Sequence, residues 1–199
     1  MYTLINGSSK LASSNSLNFL NIIKRRIDKY NIFSLIDNNF HNIIESINIS
    51  DTIVFAFPLY VDSPNYQVLK FLDYTFDNDL IRKKNVYIII NCGFLEGEQN
   101  ITALNIIKRW CDKTSNNYLG AILIGAGEIV GKKKYKLVCT KARNKLKHFG
   151  KCIKENKKTN DIIATMDLLN SKVYCMLANI SWNRKAKKNN LTKEDINKK

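Results

Sequence analysis

Hydroxyls and amides crowd the first loop of this chain. Ile5-Asn6-Gly7-Ser8-Ser9-Lys10 closes a short apolar segment, and Ser14-Asn15-Ser16 heads an amphipathic stretch. Where a strand stops at such a loop and a helix begins, unpaired backbone N–H groups and the positive end of the helix dipole face one point. Ser8, Ser14, Asn15 and Ser16 add side-chain donors, and Lys10 adds charge. The chemistry is anion capture. The loop has one glycine and no Gly-Lys-Ser/Thr ending, which excludes a triphosphate P-loop, and it lacks the G-x-G-x-x-G dinucleotide fingerprint. A monophosphate is the guest it accommodates. The same serines can instead act only as helix caps, each worth about 1 kcal/mol.

Two further loops carry ring-binding chemistry. Pro58-Leu59-Tyr60-Val61-Asp62-Ser63-Pro64 sets an aromatic between two prolines that stiffen the backbone. Asn91-Cys92-Gly93-Phe94-Leu95-Glu96-Gly97-Glu98-Gln99 mixes glycines, which admit close backbone approach, with an aromatic and amides. A flat, amphipathic heterocycle with a phosphate tail satisfies all three loops, its ring against Tyr60 and Phe94. Flavin mononucleotide (FMN) fits that description. Cys92 stands beside the expected ring, yet no partner cysteine or activating base is near in sequence, so a small buried thiol is the expectation.

The elements that must position these loops follow from hydrophobic pattern. Strands are expected at 2–6, 31–35, 52–57 (stopping at Pro58), 86–90 and 119–124. Between them, helices are expected from Ser13 or Ser14 through Leu17, Leu20, Ile23, Ile27 and Tyr30, then at 40–47, 65–75 and 99–111. Five strands alternating with helices, joined by connections too long for hairpins, give a doubly wound α/β domain with a five-stranded parallel sheet. Helices cover both faces. The three loops then leave the carboxyl ends of strands, where ligands of open parallel sheets bind. Two extra C-terminal helices are expected. One runs from about Lys133 with Val138, Ala142, Leu146, Phe149 and Ile153, with a bend or break at Gly150. The other carries Met166, Leu169, Val173, Met176 and Ile180 towards a core. A single domain spans 1–199, with 183–199 read as a basic, frayed tail.

Composition sets outer limits. The chain has 199 residues, 45% of them apolar and 25% charged, as in a globular protein with one sizeable core. No apolar run reaches the roughly 18 residues of a membrane span, and no signal-peptide pattern is present at the start. Five scattered cysteines, never in C-x-x-C, and only two histidines argue for reduced thiols in a cytoplasm and against a metal site. The net charge of +15 is uneven: residues 1–131 hold 12 basic and 12 acidic groups, and the remainder holds 20 and 5. Arg-rich clusters interleaved with aromatics are missing there, so a solvated helical face and tail is preferred over nucleic-acid binding.

The succession of motifs resembles the flavodoxin-like NAD(P)H-dependent FMN reductase family, especially small clostridial-type flavodoxin-family oxidoreductases. It rests on Asn6-Gly7-Ser8-Ser9-Lys10 with Ser14-Asn15-Ser16, on Phe57-Pro58-Leu59-Tyr60-Val61-Asp62-Ser63, on Asn91-Cys92-Gly93-Phe94-Leu95-Glu96 with Gln99-Asn100, and on Gly125-Ala126-Gly127-Glu128. A Trp182 followed by basic residues is also similar to the family's last helix. The resemblance implies that Ser8, Lys10, Ser14, Asn15 and Ser16 hold the FMN phosphate. It implies that Pro58, Leu59, Tyr60 and Val61 flank the isoalloxazine, with Asn91, Cys92, Gly93, Phe94, Glu96 and Gln99 on its other side. It further implies NAD(P)H as co-substrate, a small acceptor (quinone, flavin or nitro compound) and a homodimer. Departures are Ser9, where the family often has proline, and Leu11 and Ala12, where small or basic residues are common. Two other functions stay open from the residues alone: an electron-carrying flavodoxin without NAD(P)H activity, and a flavin-free binding module using the basic C-terminal third.

Overall fold

The computed structural model describes residues 1–10, 14–132, 135–166, 171–192 and 195. Leu11, Ala12, the alternative cap Ser13, Lys133 and Leu169 therefore lie outside the described residues. In chain order the elements are β1 (Tyr2–Asn6), α1 (Asn15–Ile23), β2 (Tyr30–Ser34), α2 (Phe40–Asn48), β3 (Thr52–Tyr60) and β4 (Ser63–Pro64). They continue with α3 (Tyr66–Asp77), β5 (Asn85–Asn91), α4 (Ile101–Lys113), β6 (Asn117–Ile124), α5 (Gly127–Val130), α6 (Thr140–Lys154), β7 (Ile162–Ala164) and α7 (Ser171–Lys188).

β2, β1, β3, β5, β6 and β7 form one parallel sheet in that order, and the two-residue β4 turns back antiparallel on β3. Strand order reverses beside β1, which lies between β2 and β3. Alternation along the strands sorts the core into two layers. Ile5, Ile53, Phe55, Phe57, Val86, Ile88 and Ile90 pack with Phe40, Ile43, Phe71, Leu104, Ile107 and Trp110 of α2, α3 and α4. Tyr87 points the other way, meeting the Phe149 ring of α6 edge-on at 5.8 Å and donating its hydroxyl to the carbonyl of Lys157.

Several expectations are corrected. Among the described residues the parallel sheet has six strands, because Ile162-Ile163-Ala164 adds β7 beyond β6; three residues are too few to show a period in sequence. β3 runs through Pro58 to Tyr60. Proline is tolerated there because β1 pairs only as far as Ala56, so no ladder bond is asked of its missing N–H. The first helix ends at Ile23, with Ile27 buried in the turn beyond and Tyr30 already in β2. α6 starts at Thr140, leaving Val138 exposed in the preceding turn, and it runs unbroken through Gly150.

By compactness the chain divides into Met1–Met166 and Asp167–Lys199. In the second unit α7 stays helical to Lys188, past the point where fraying was expected. Met176 and Ile180 are exposed there rather than core-facing, and Trp182 is exposed as well.

Candidate active site at the carboxyl edge of the sheet

The loop after β1 is built from within by Asn6. Its Oδ1 accepts the Ser8 N–H at 3.2 Å and the Ser14 hydroxyl at 3.4 Å, and its Nδ2 donates to Ser34 Oγ at 3.5 Å. Gly7 follows in a crowded place: a Cβ there would stand 2.4 Å from Val68 Cγ2 and 2.9 Å from Phe57 Cβ. Asn65 caps α3 by accepting the Val68 N–H and also donates to the Gly7 carbonyl at 2.6 Å. The loop is thereby fastened to β1 and α3.

The three serines differ in what their hydroxyls have left to give. Ser14 is the N-cap of α1: its Oγ accepts the Leu17 N–H at 3.0 Å while its proton goes to Asn6. Ser8 Oγ accepts the Lys10 N–H at 3.2 Å, and Ser16 Oγ accepts from Asn91 Nδ2 at 3.0 Å. Both Ser8 and Ser16 therefore keep a hydroxyl proton for an incoming acceptor. The first amides of α1, at Asn15 and Ser16, have no carbonyl within the helix to bond and point the same way.

Ser8, Lys10, Ser14, Asn15, Ser16, Pro58, Leu59, Tyr60, Asn91, Cys92 and Gly93 line one cleft of about 160 Å³, together with Glu128. Enclosed small-molecule sites hold roughly 300–1,000 Å³, so a nucleotide seated here keeps part of itself outside. Tyr60 closes one lip, its hydroxyl 3.1 Å from Ser9 Oγ. Asn91, the last residue of β5, ties the crests together: Nδ2 donates to Phe57 O and to Ser16 Oγ, each at 3.0 Å.

Four expected residues fall outside this lining. Val61 and Asp62 form the two-residue turn between β3 and β4, with φ of 48° and 57°, and Val61 projects fully into solvent. Both residues in the left-handed region define the tight hairpin turn normally taken by Asn-Gly, which a β-branched residue strains. Phe94 is exposed, while its carbonyl accepts the Ala126 N–H. Glu96 precedes and Gln99 sits on the exposed side of a short 3₁₀ turn, Gly97–Asn100, that leads into α4. Glu128 is the lining residue not predicted as one. Its signal was the Gly125-Ala126-Gly127-Glu128 run at the end of β6, where Ala126 takes a left-handed conformation to start α5.

Cys92 is buried at the rim. Its Sγ lies 3.5 Å from Glu96 O and receives Asn100 Nδ2 at 3.5 Å. Burial pushes its thiol pKa up, outweighing the lowering from its hydrogen bonds at Phe94 and Asn100. A thiol so held stays protonated and is a poor nucleophile. All five cysteines are free, and among the described residues no group of acidic, histidine and cysteine side chains could hold a metal. No helix among them is long and apolar enough to cross a membrane.

No family model matches this chain, and no curated protein does. Solved structures do. An NADH:FMN oxidoreductase in its apo form is 13% identical, covering 79% of this chain and 90% of its own, with a TM-score of 0.59. An NADPH-quinone reductase from P. pentosaceus is 15% identical over 76% of this chain and 96% of its own, with a TM-score of 0.58. A rubredoxin oxygen:oxidoreductase from Desulfovibrio gigas is 11% identical over 78% of this chain but 35% of its own, with a TM-score of 0.57. The chain thus has the flavodoxin-like α/β fold found in NAD(P)H-dependent FMN and quinone reductases.

Proposed function

We propose that this protein is an FMN-dependent oxidoreductase that takes electrons from NADH or NADPH and delivers them to a small acceptor such as a quinone, flavin or nitro compound. The observation that carries the reading is the donor set. Two buried serine hydroxyls with protons to spare, two helix-terminal amides and Lys10 converge beside β1, where strand order reverses. These groups suit a phosphate monoester, and the adjoining Pro58-Leu59-Tyr60 wall suits a flat ring.

Ser8 and Ser16 would donate to the phosphate, Lys10 would add charge at the open lip, and Ser14 would hold the helix start in place. Pro58, Leu59 and Tyr60 would bear on the ring from one side and Asn91 and Gly93 from the other. Bound FMN supplies the hydride and electron chemistry, so the chain needs no general acid or base of its own. The Cys92 amide already donates to Ile124 O at 3.0 Å, so it does not serve negative charge on a ring. The reading carries with it a homodimer, whose second copy would cover what the shallow cleft leaves outside, and a cytoplasmic setting, in keeping with five unpaired thiols.

The test is optical. Titrated with FMN, the protein should quench the flavin's fluorescence, and the loaded, yellow protein should bleach when NADPH or NADH is added without any partner reductase. Absence of quenching removes the flavin. Quenching without bleaching leaves an electron carrier rather than a reductase.

A further inference from the structure

A second concavity, of about 450 Å³, lies at the other end of α1. Ile22, Arg25, Arg26, Lys136, Arg143 and Lys147 line it. At 1.5 Å per helical residue, the last residue of α1, Ile23, stands about 10 Å along the axis from Ser16, and Arg25 follows just beyond it. Among the described residues, five cations face this space and no carboxylate lines it. Among the described residues none of the five is in an ion pair.

The packing forces them together. Gly150 lets α6 approach α1 so closely that a Cβ there would stand 3.2 Å from Arg26 Cδ and from Ile23 Cδ1. That contact sets the Arg25–Arg26 corner against the face of α6 carrying Arg143 and Lys147, one turn apart. Like charges at that spacing repel. Arg143 Nη1 donates to Val130 O at 2.7 Å, which fixes the orientation of its guanidinium and leaves its other donors unused. Arginines just beyond a helix C-terminus offset its dipole. That accounts for Arg25 and Arg26, and not for three further cations brought in from other elements.

We infer that this groove binds a compact anion bearing two or more linked phosphates. Three guanidinium forks match phosphate oxygens in pairs, and the two lysines add point charge. Low-dielectric walls focus the field of all five. The cations converge on one space instead of following a track, which suits a small polyphosphate better than an extended strand. Ile22 supplies an apolar wall for whatever carries the phosphates.

Inorganic tripolyphosphate is the probe, titrated into the full chain by calorimetry. One saturable equivalent is expected, with orthophosphate weaker by about tenfold or more. Arg25→Gln/Lys147→Gln removes two exposed charges without disturbing the core and should weaken tripolyphosphate about tenfold or more, while the charge-matched Lys187→Gln/Lys188→Gln stays within about twofold. An equal loss in that control reduces the effect to net charge and overturns the site. So does loss in Ser8→Ala/Ser16→Ala instead of the groove variant, which would place the anion in the cleft. A single-stranded oligonucleotide that displaces tripolyphosphate at lower phosphate concentration overturns the compact ligand.

Discussion

At its first turn α1 presents serine hydroxyls and backbone amides; just past its last turn stand the guanidinium groups of Arg25 and Arg26, joined by Lys136, Arg143 and Lys147 from elsewhere in the chain. Both ends suit negative charge, by different physics. As proposed, the first would work mainly through neutral donors whose directions are fixed by Asn6, Ser14 and Asn91, with Lys10 at its lip, and would select by geometry. The second works through unpaired charge on long side chains, selects by charge density, and is screened by salt. One helix thus joins a shaped site and a field-driven one.

Four measurements would break or sharpen that contrast. The largest effect is expected from Ser8→Ala/Ser16→Ala. A hydrogen bond to a charged group is worth about 1.5–3 kcal/mol, so FMN affinity should fall about a hundredfold or more in fluorescence titrations, with tripolyphosphate affinity unmoved. An unchanged FMN affinity would remove the neutral-donor account. Next comes salt. Raising NaCl from about 50 to 300 mM should weaken tripolyphosphate about tenfold and FMN less than about threefold; equal slopes would erase the distinction. Third, Ser14→Ala should lower unfolding free energy in urea by about 1 kcal/mol through loss of the cap. FMN should weaken by less than in the Ser8/Ser16 variant, because the Ser14 proton is already committed. The smallest effect is expected of Tyr60→Phe, which removes only the contact with Ser9; FMN should weaken about two- to threefold.

Much of this was readable beforehand, and the rest was hidden for identifiable reasons. The apolar runs at 52–57 and 86–90 announce buried parallel strands, and the loops near their ends follow directly, although β3 continues past Pro58 to Tyr60. β7 was hidden by its length, and the turn at Val61-Asp62 by its residues, since a valine in a left-handed turn contradicts local preference. Phe94 has the right type in the right loop, but its direction depends on the Ala126–Phe94 backbone bond, which no sequence pattern encodes. Glu128 was seen as part of a motif and not as a wall. The basic groove was out of reach altogether. Its halves are more than a hundred residues apart, and the packing of α6 on α1, close at Gly150, joins them.

Asn91 has one more consequence. By bonding Phe57 O and Ser16 Oγ at once, a single amide makes the ends of β3 and β5 and the start of α1 into one rigid rim. The proposed guest would find its contacts there already ordered with respect to one another. Little conformational freedom would then remain to be surrendered at the moment of capture, and more of each contact would survive as net affinity.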